Sequence, residues 1–72
     1  MPMTPMAIAG SAQAAYRQGY KAVTAEDREE RRTWGRAVYA IAFAVASRNP
    51  NMPQERVHNI TADLIERALE KE

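Results

Sequence analysis

Three arginines and two aromatic residues follow one another at helical spacing, and they are the residues of this chain best suited to binding. Arg28, Arg32 and Arg36 recur at every fourth position, and Tyr39 and Phe43 continue the same side. Residues three or four positions apart share one face of a helix. A cationic row that leads into aromatic side chains suits an acidic protein surface, a phosphate backbone or stacked bases. We therefore predict a partner-binding face made of these five residues.

The same stretch also has a simpler interpretation, as an ordinary solvated helix surface. Glu26, Asp27, Glu29 and Glu30 alternate with the arginines, and Asp27 is placed to pair with Arg31 one turn later. Helix faces of mixed charge are commonly exposed to solvent. If the face does bind a partner, these acids would repel phosphate. We therefore favour a protein partner with an acidic surface over nucleic acid.

The remaining polar residues do not form a catalytic or metal-binding pattern. The chain has one histidine, His58, and no cysteine, so it lacks the clustered ligands of a specific metal site. No nucleophile or paired carboxylate accompanies His58. Gly10, Gly19 and Gly35 are isolated from one another and do not form a phosphate-binding loop. We expect a non-enzymatic protein without a metal or cofactor.

The other aromatic residues fit a hydrophobic core better than a ligand site. Trp34 shares a helical stripe with Val38 and Ile41, which is typical of a core residue. Tyr16 and Tyr20 are expected at the edge of the core with their hydroxyl groups in water. An interface role for one of them is the alternative, because tyrosine is enriched at binding hot spots.

The elements that must position these residues are organised around ten consecutive apolar residues, Ala37 to Ala46. A bilayer-spanning helix needs about 20 apolar residues, so this run is too short to cross a membrane. Five of the ten are alanine, which favours a helix over a strand. Val38, Ile41 and Val45 would form one apolar side, whereas Tyr39, Phe43 and Ala46 would fall on the other. Such a helix needs neighbours on both sides.

The pattern predicts an all-α fold of three helices with the second helix at the centre. We expect a flexible tail at residues 1–4 and a single domain at 5–72, with helices at about 5–23, 25–48 and 53–71. Thr4-Pro5 and Thr24 supply the start signals of the first two helices. Asn49-Pro50 should end the second helix, and Pro53 should begin the third.

Size and charge point to an oligomer in the cytoplasm. A core of 72 residues rarely supplies more than about 3–5 kcal/mol of stability without a disulfide, a metal or a second subunit, so we expect a homodimer. The N-terminal residues lack the basic and apolar regions of an export signal. The net charge is +1, with seven Lys/Arg against four Asp/Glu in residues 1–48 and three against five in residues 49–72. The third helix is therefore acidic.

Three functions remain open on the sequence. The first is a small protein-binding module such as an adaptor, regulator or inhibitor. The second is a DNA- or RNA-binding regulator of the helix-turn-helix type, in which Gln54, Arg56, His58 and Asn59 would reach base edges. Asp63, Glu66 and Glu70 on the same helix would then face the negatively charged duplex. The third is a structural dimer whose only role is assembly.

One short segment, Ala14 to Ala22, resembles the first-helix Gly-Tyr segment of ribosome modulation factors, which are small basic proteins that bind ribosomes in stationary phase. The rest of the chain departs from that family, because it is barely basic and ends in an acidic helix. No functional residue is carried over from this resemblance.

Overall fold

The chain folds into three α-helices. A computed structural model describes residues 4–19 and 25–70, with only the backbone described at residues 19 and 25–27. Helix α1 spans Pro5–Gly19, α2 spans Ala25–Arg48 and α3 spans Gln54–Glu70. No strand occurs in these two ranges, so the predicted all-α class is confirmed.

Thr4 begins α1 as its N-cap. The backbone N–H of Ala7 donates to Thr4 Oγ1 at 3.2 Å, and the N–H of Ile8 donates to the Thr4 carbonyl at 3.0 Å. Pro5 occupies the first helical position, where its missing N–H leaves no bond unmade. Thr4 is thus the N-cap that the Thr4-Pro5 start signal predicts. Residues 1–3, the predicted end of α1 at 20–23 and the predicted cap Thr24 lie outside the described residues.

The turn between α2 and α3 is held by local hydrogen bonds. Asn49 caps the end of α2, because its side-chain amide donates to the Val45 carbonyl at 2.8 Å and its backbone N–H donates to the Ala46 carbonyl at 3.3 Å. The Pro53 carbonyl accepts from the N–H groups of Arg56 and Val57. Pro53 therefore acts as the N-cap of α3, and the helix begins one residue later than predicted.

Helix α2 contacts both other helices, whereas α1 and α3 share few contacts with each other. The buried core is rich in small side chains, and Ala9, Ala42 and Val57 are fully inaccessible to solvent. The remaining buried residues are Ile8, Ala12, Gly35, Val38, Ala46, Thr61 and Ile65. The predicted core position of Trp34 agrees with its packing against this cluster.

The buried side of α2 is rotated from the one predicted. Val38, Ala42 and Ala46 are buried at successive fourth positions, while Ile41 and Val45 are half-buried. Ala46 thus lies with the core and not with Tyr39 and Phe43, because the small side chains at 42 and 46 let α1 approach this side closely. On α3, Leu64 is 41% exposed despite its apolar side chain.

Part of the apolar run in α2 is exposed. Ala40 and Ala44 are exposed, and Phe43 retains 39% of its accessible surface. The prediction places neighbours on both sides of this helix, and the described residues leave these three side chains uncovered. None of the described helices is long and apolar enough to cross a membrane.

Helix α1 approaches the backbone of α2 at Gly35. The Gln13 side-chain amide donates to the Gly35 carbonyl at 3.0 Å. A Cβ atom added at Gly35 would lie 3.2 Å from Nε of Arg17, which is closer than an ordinary van der Waals contact. The absence of a side chain at residue 35 therefore lets two polar side chains of α1 lie against α2.

We expect Gly10 and Gly35 to respond differently to substitution by alanine. Gly10 has no atom within 4 Å of its would-be Cβ, so Gly10→Ala should raise the free energy of unfolding by about 0.5–1 kcal/mol through helix propensity alone. Gly35→Ala should gain less, because the new methyl group must displace the Arg17 side chain. Urea denaturation of both variants measures the difference. An equal or larger gain for Gly35→Ala would show that the approach of Arg17 does not constrain this position.

Candidate functional site

The three arginines of the predicted face are all exposed on α2. Arg28, Arg32 and Arg36 share one side of the helix by their spacing, and none is buried. None of the side chains that the structure describes forms a salt bridge with these three arginines. The predicted pairing of Asp27 with Arg31 lies outside the described residues, because only the backbone of Asp27 is described.

The two aromatic residues of the predicted face contact each other. The rings of Tyr39 and Phe43 are stacked, with centroids 6.3 Å apart and an interplanar angle of 19°. Tyr39 is half-buried against the core, whereas Phe43 is exposed. Phe43 therefore presents an exposed apolar ring beside the ring of Tyr39.

A cluster of four arginines lies at the end of α2 where α1 finishes. Arg17 of α1 and Arg28, Arg31 and Arg32 of α2 line a concavity of about 230 Å³. The structure thus brings Arg28 and Arg32 together with two arginines that were not in the predicted face. Arg36 does not line this concavity and lies one turn further along α2.

Spacing within α2 predicts that Arg31 pairs with Asp27, and the sequence alone predicts no role for Arg17. Arg17 joins the cluster only because α1 packs beside α2, which residue spacing within one helix does not reveal. A usable signal was present in Gly35, an isolated glycine in a helix that marks a close approach by another element.

A second concavity, of about 400 Å³, opens between α1 and α3. Its lining is largely apolar, with Val38, Ile65 and Leu69 among the residues that border it, and His58 and Glu66 also contribute. Gln54, near this groove, donates a hydrogen bond from its side-chain amide to Ser11 Oγ at 2.8 Å and lies 3.5 Å from His58 Nε2. Two of the side chains that a helix-turn-helix would use for base contacts are therefore partly engaged within the chain.

Tyr16 borders the same groove, and its ionisation is perturbed. Burial raises the pKa of Tyr16 above its usual value of 10.0, and the Glu30 carboxylate raises this pKa further. Glu30 therefore acts on the phenol of α1 across the helix interface.

No three His, Asp or Glu side chains come together as a metal site in residues 4–19 and 25–70. In comparisons with known proteins, no family model matches the chain, and no curated protein or solved structure matches it either. The resemblance of Ala14–Ala22 to ribosome modulation factors thus gains no support.

The perturbed phenol predicts a loss of stability at high pH. Because the folded chain holds the Tyr16 proton more tightly than the unfolded chain, the unfolded state loses this proton first as the pH rises above about 10. The stabilisation from Tyr16 is therefore full below that pH and is lost above it.

Glu30→Gln should lower the Tyr16 pKa, measured by NMR of ¹³C-labelled tyrosine. Glu29→Gln makes the same charge change nearby and should leave the Tyr16 pKa unchanged. Equal shifts in both variants would contradict the assignment of Glu30.

Proposed function

We propose that this protein is a small non-enzymatic protein-binding module, an adaptor, regulator or inhibitor, whose contact face is the exposed side of α2. The face comprises Arg28, Arg32, Arg36, Tyr39 and Phe43. The observation that carries the proposal is the combination of exposed arginines with a stacked aromatic pair on one side of one helix. Arginine and aromatic side chains are the residue types most enriched at interface hot spots.

The partner surface that fits this face is acidic with an apolar patch. The arginines provide planar donors that suit carboxylates, and Phe43 provides an exposed ring for apolar contact. Since the face lies on a rigid helix, little conformational entropy of the backbone is lost on binding. A cytoplasmic location remains part of the proposal, because a chain without cysteine fits a reducing compartment.

A second copy of the chain is one partner that offers an acidic surface with apolar residues. Described α3 residues carry Glu55, Asp63, Glu66 and Glu70 against Arg56 and Arg67, so α3 is net acidic where α2 is basic. Exposed Leu64 and Leu69 on α3 add apolar surface. A homodimer that pairs the α2 face with α3 of the partner would cover both. Sedimentation equilibrium over a range of concentrations distinguishes this dimer from a monomer that binds another protein.

Nucleic acid is the second candidate, and the four-arginine concavity is the observation that favours it. Phosphate contacts by arginine would make the affinity fall steeply as salt is raised. Fluorescence anisotropy with arbitrary duplex DNA at low salt tests this function directly. The acidic residues of α3 oppose a duplex placed along that helix, so we expect no binding there.

The proposed face predicts that charge reversal removes partner binding without unfolding the chain. Arg32→Glu combined with Arg36→Glu should abolish capture of the partner from a native lysate, because both side chains are exposed and their charges would then repel an acidic surface. Exposed substitutions of this kind usually change the free energy of unfolding by about 0.5 kcal/mol or less, so helicity by circular dichroism should persist.

The matched control reverses two exposed arginines on another helix. Arg56→Glu combined with Arg67→Glu makes the same change in net charge on α3. This variant should retain the captured partner. Retained capture by the α2 variant, or equal loss in both variants, would rule out the α2 face as the contact surface.

A further inference from the structure

The concavity between α1 and α2 gathers four positive charges with no described counter-ion. Arg17 reaches it from α1, and Arg28, Arg31 and Arg32 reach it from α2. Like charges this close repel one another, so the cluster costs folding free energy unless an anion occupies it. Among the side chains that the structure describes, none forms a salt bridge with any of the four, so the site has room for an added anion.

Glu29 and Glu30 of α2 lie away from this concavity. At about 100° per residue, position 29 lies roughly 105° and position 30 roughly 150° around the helix from the centre of the three α2 arginines. Glu30 instead acts on the phenol of Tyr16. Of the interleaved carboxylates, these two therefore do not fill this site.

The shape of the site favours a single compact anion over a polymer. The four side chains surround one depression and do not extend as a track, and Arg36 lies outside it. Guanidinium groups bind carboxylate and phosphate oxygens through paired N–H donors. A phosphomonoester carries about −1.5 to −2 charges at pH 7 and three acceptor oxygens, whereas a carboxylate carries one charge and two. Four converging arginines match the phosphomonoester better.

We propose that Arg17, Arg28, Arg31 and Arg32 form a binding site for a phosphomonoester dianion presented by a peptide segment of a partner protein. This inference deepens the proposed function and rests on it, because Arg28 and Arg32 belong to the same face. The site adds Arg17 and Arg31 to that face. Binding of the partner then depends on its phosphorylation.

The position of the aromatic pair sets the spacing of the recognised segment. Along α2, Tyr39 is seven residues and Phe43 eleven residues beyond Arg32, which corresponds to about 10–16 Å at 1.5 Å per residue. An extended peptide covers that distance in about three to five residues. The recognised segment therefore carries an apolar side chain three to five residues from its phosphorylated residue.

The first test uses inorganic phosphate and the intact chain. Titration at constant ionic strength, followed by the NMR signals of arginine Nε–H groups, should show saturable shifts of the four clustered arginines. Arg17→Gln should weaken binding by roughly tenfold or more, since a charge-assisted hydrogen bond is lost. Arg67→Gln, an exposed arginine on α3, is the matched control and should bind as the unmodified chain does. Circular dichroism checks that both variants keep their helicity. Unsaturable shifts, or equal weakening in both variants, would overturn the site.

The second test identifies the source of the phosphoryl group. A phosphoserine peptide with leucine four residues away should bind more tightly than inorganic phosphate, and the unphosphorylated peptide should not shift the arginine signals. If the phosphopeptide binds no better than phosphate, or if duplex DNA displaces it with equal affinity, the assignment to a phosphorylated peptide is wrong. The phosphate titration needs no partner, so its failure leaves protein binding standing. If the phosphate titration succeeds but the unmodified chain captures no partner from the lysate, the proposed function is rejected instead.

Discussion

The structure depends on the close approach of α1 and α2 over small side chains. Ala9 and Ala12 of α1 and Ala42 and Ala46 of α2 are all at most 6% exposed, and each is only one carbon longer than glycine. Helices separated by such residues gain dispersion contacts between their backbones and neighbouring side chains rather than burying large apolar groups. The packing is therefore sensitive to added volume, because an interior near crystal density has no room for it.

This close packing also determines which side chains of α2 stay exposed. Because Val38, Ala42 and Ala46 belong to the core, the arginines at 28, 32 and 36 and the ring of Phe43 are left outside. The gap at Gly35 lets Arg17 lie against α2 and complete the four-arginine concavity. The fold thus concentrates positive charge at one end of the hairpin of α1 and α2, although the net charge of the chain is only +1.

The helices could be predicted from the sequence because their signals are local. Ala25–Arg48 coincides with the predicted second helix, since Asn49-Pro50 ends it by constraints that involve adjacent residues only. The side of α2 that faces the core could not be predicted, because Ala46 looks identical to Ala40 or Ala44 until a neighbour is placed against it. The same reason explains why the sequence predicted only part of the candidate site. The spacing of Arg28, Arg32 and Arg36 is visible in one helix, but the addition of Arg17 and Arg31 depends on where α1 packs.

One pair of variants tests directly whether one side of α2 is packed in the core while the other side is exposed to solvent. Ala42 is fully buried and Ala44, two residues later, is exposed. Ala42→Leu should lower the free energy of unfolding by about 1–3 kcal/mol through overpacking. Ala44→Leu adds the same side chain and should change it by about 0.5 kcal/mol or less. Both values come from urea denaturation followed by circular dichroism. Equal effects, or a larger loss for Ala44→Leu, would contradict the assignment of the two sides.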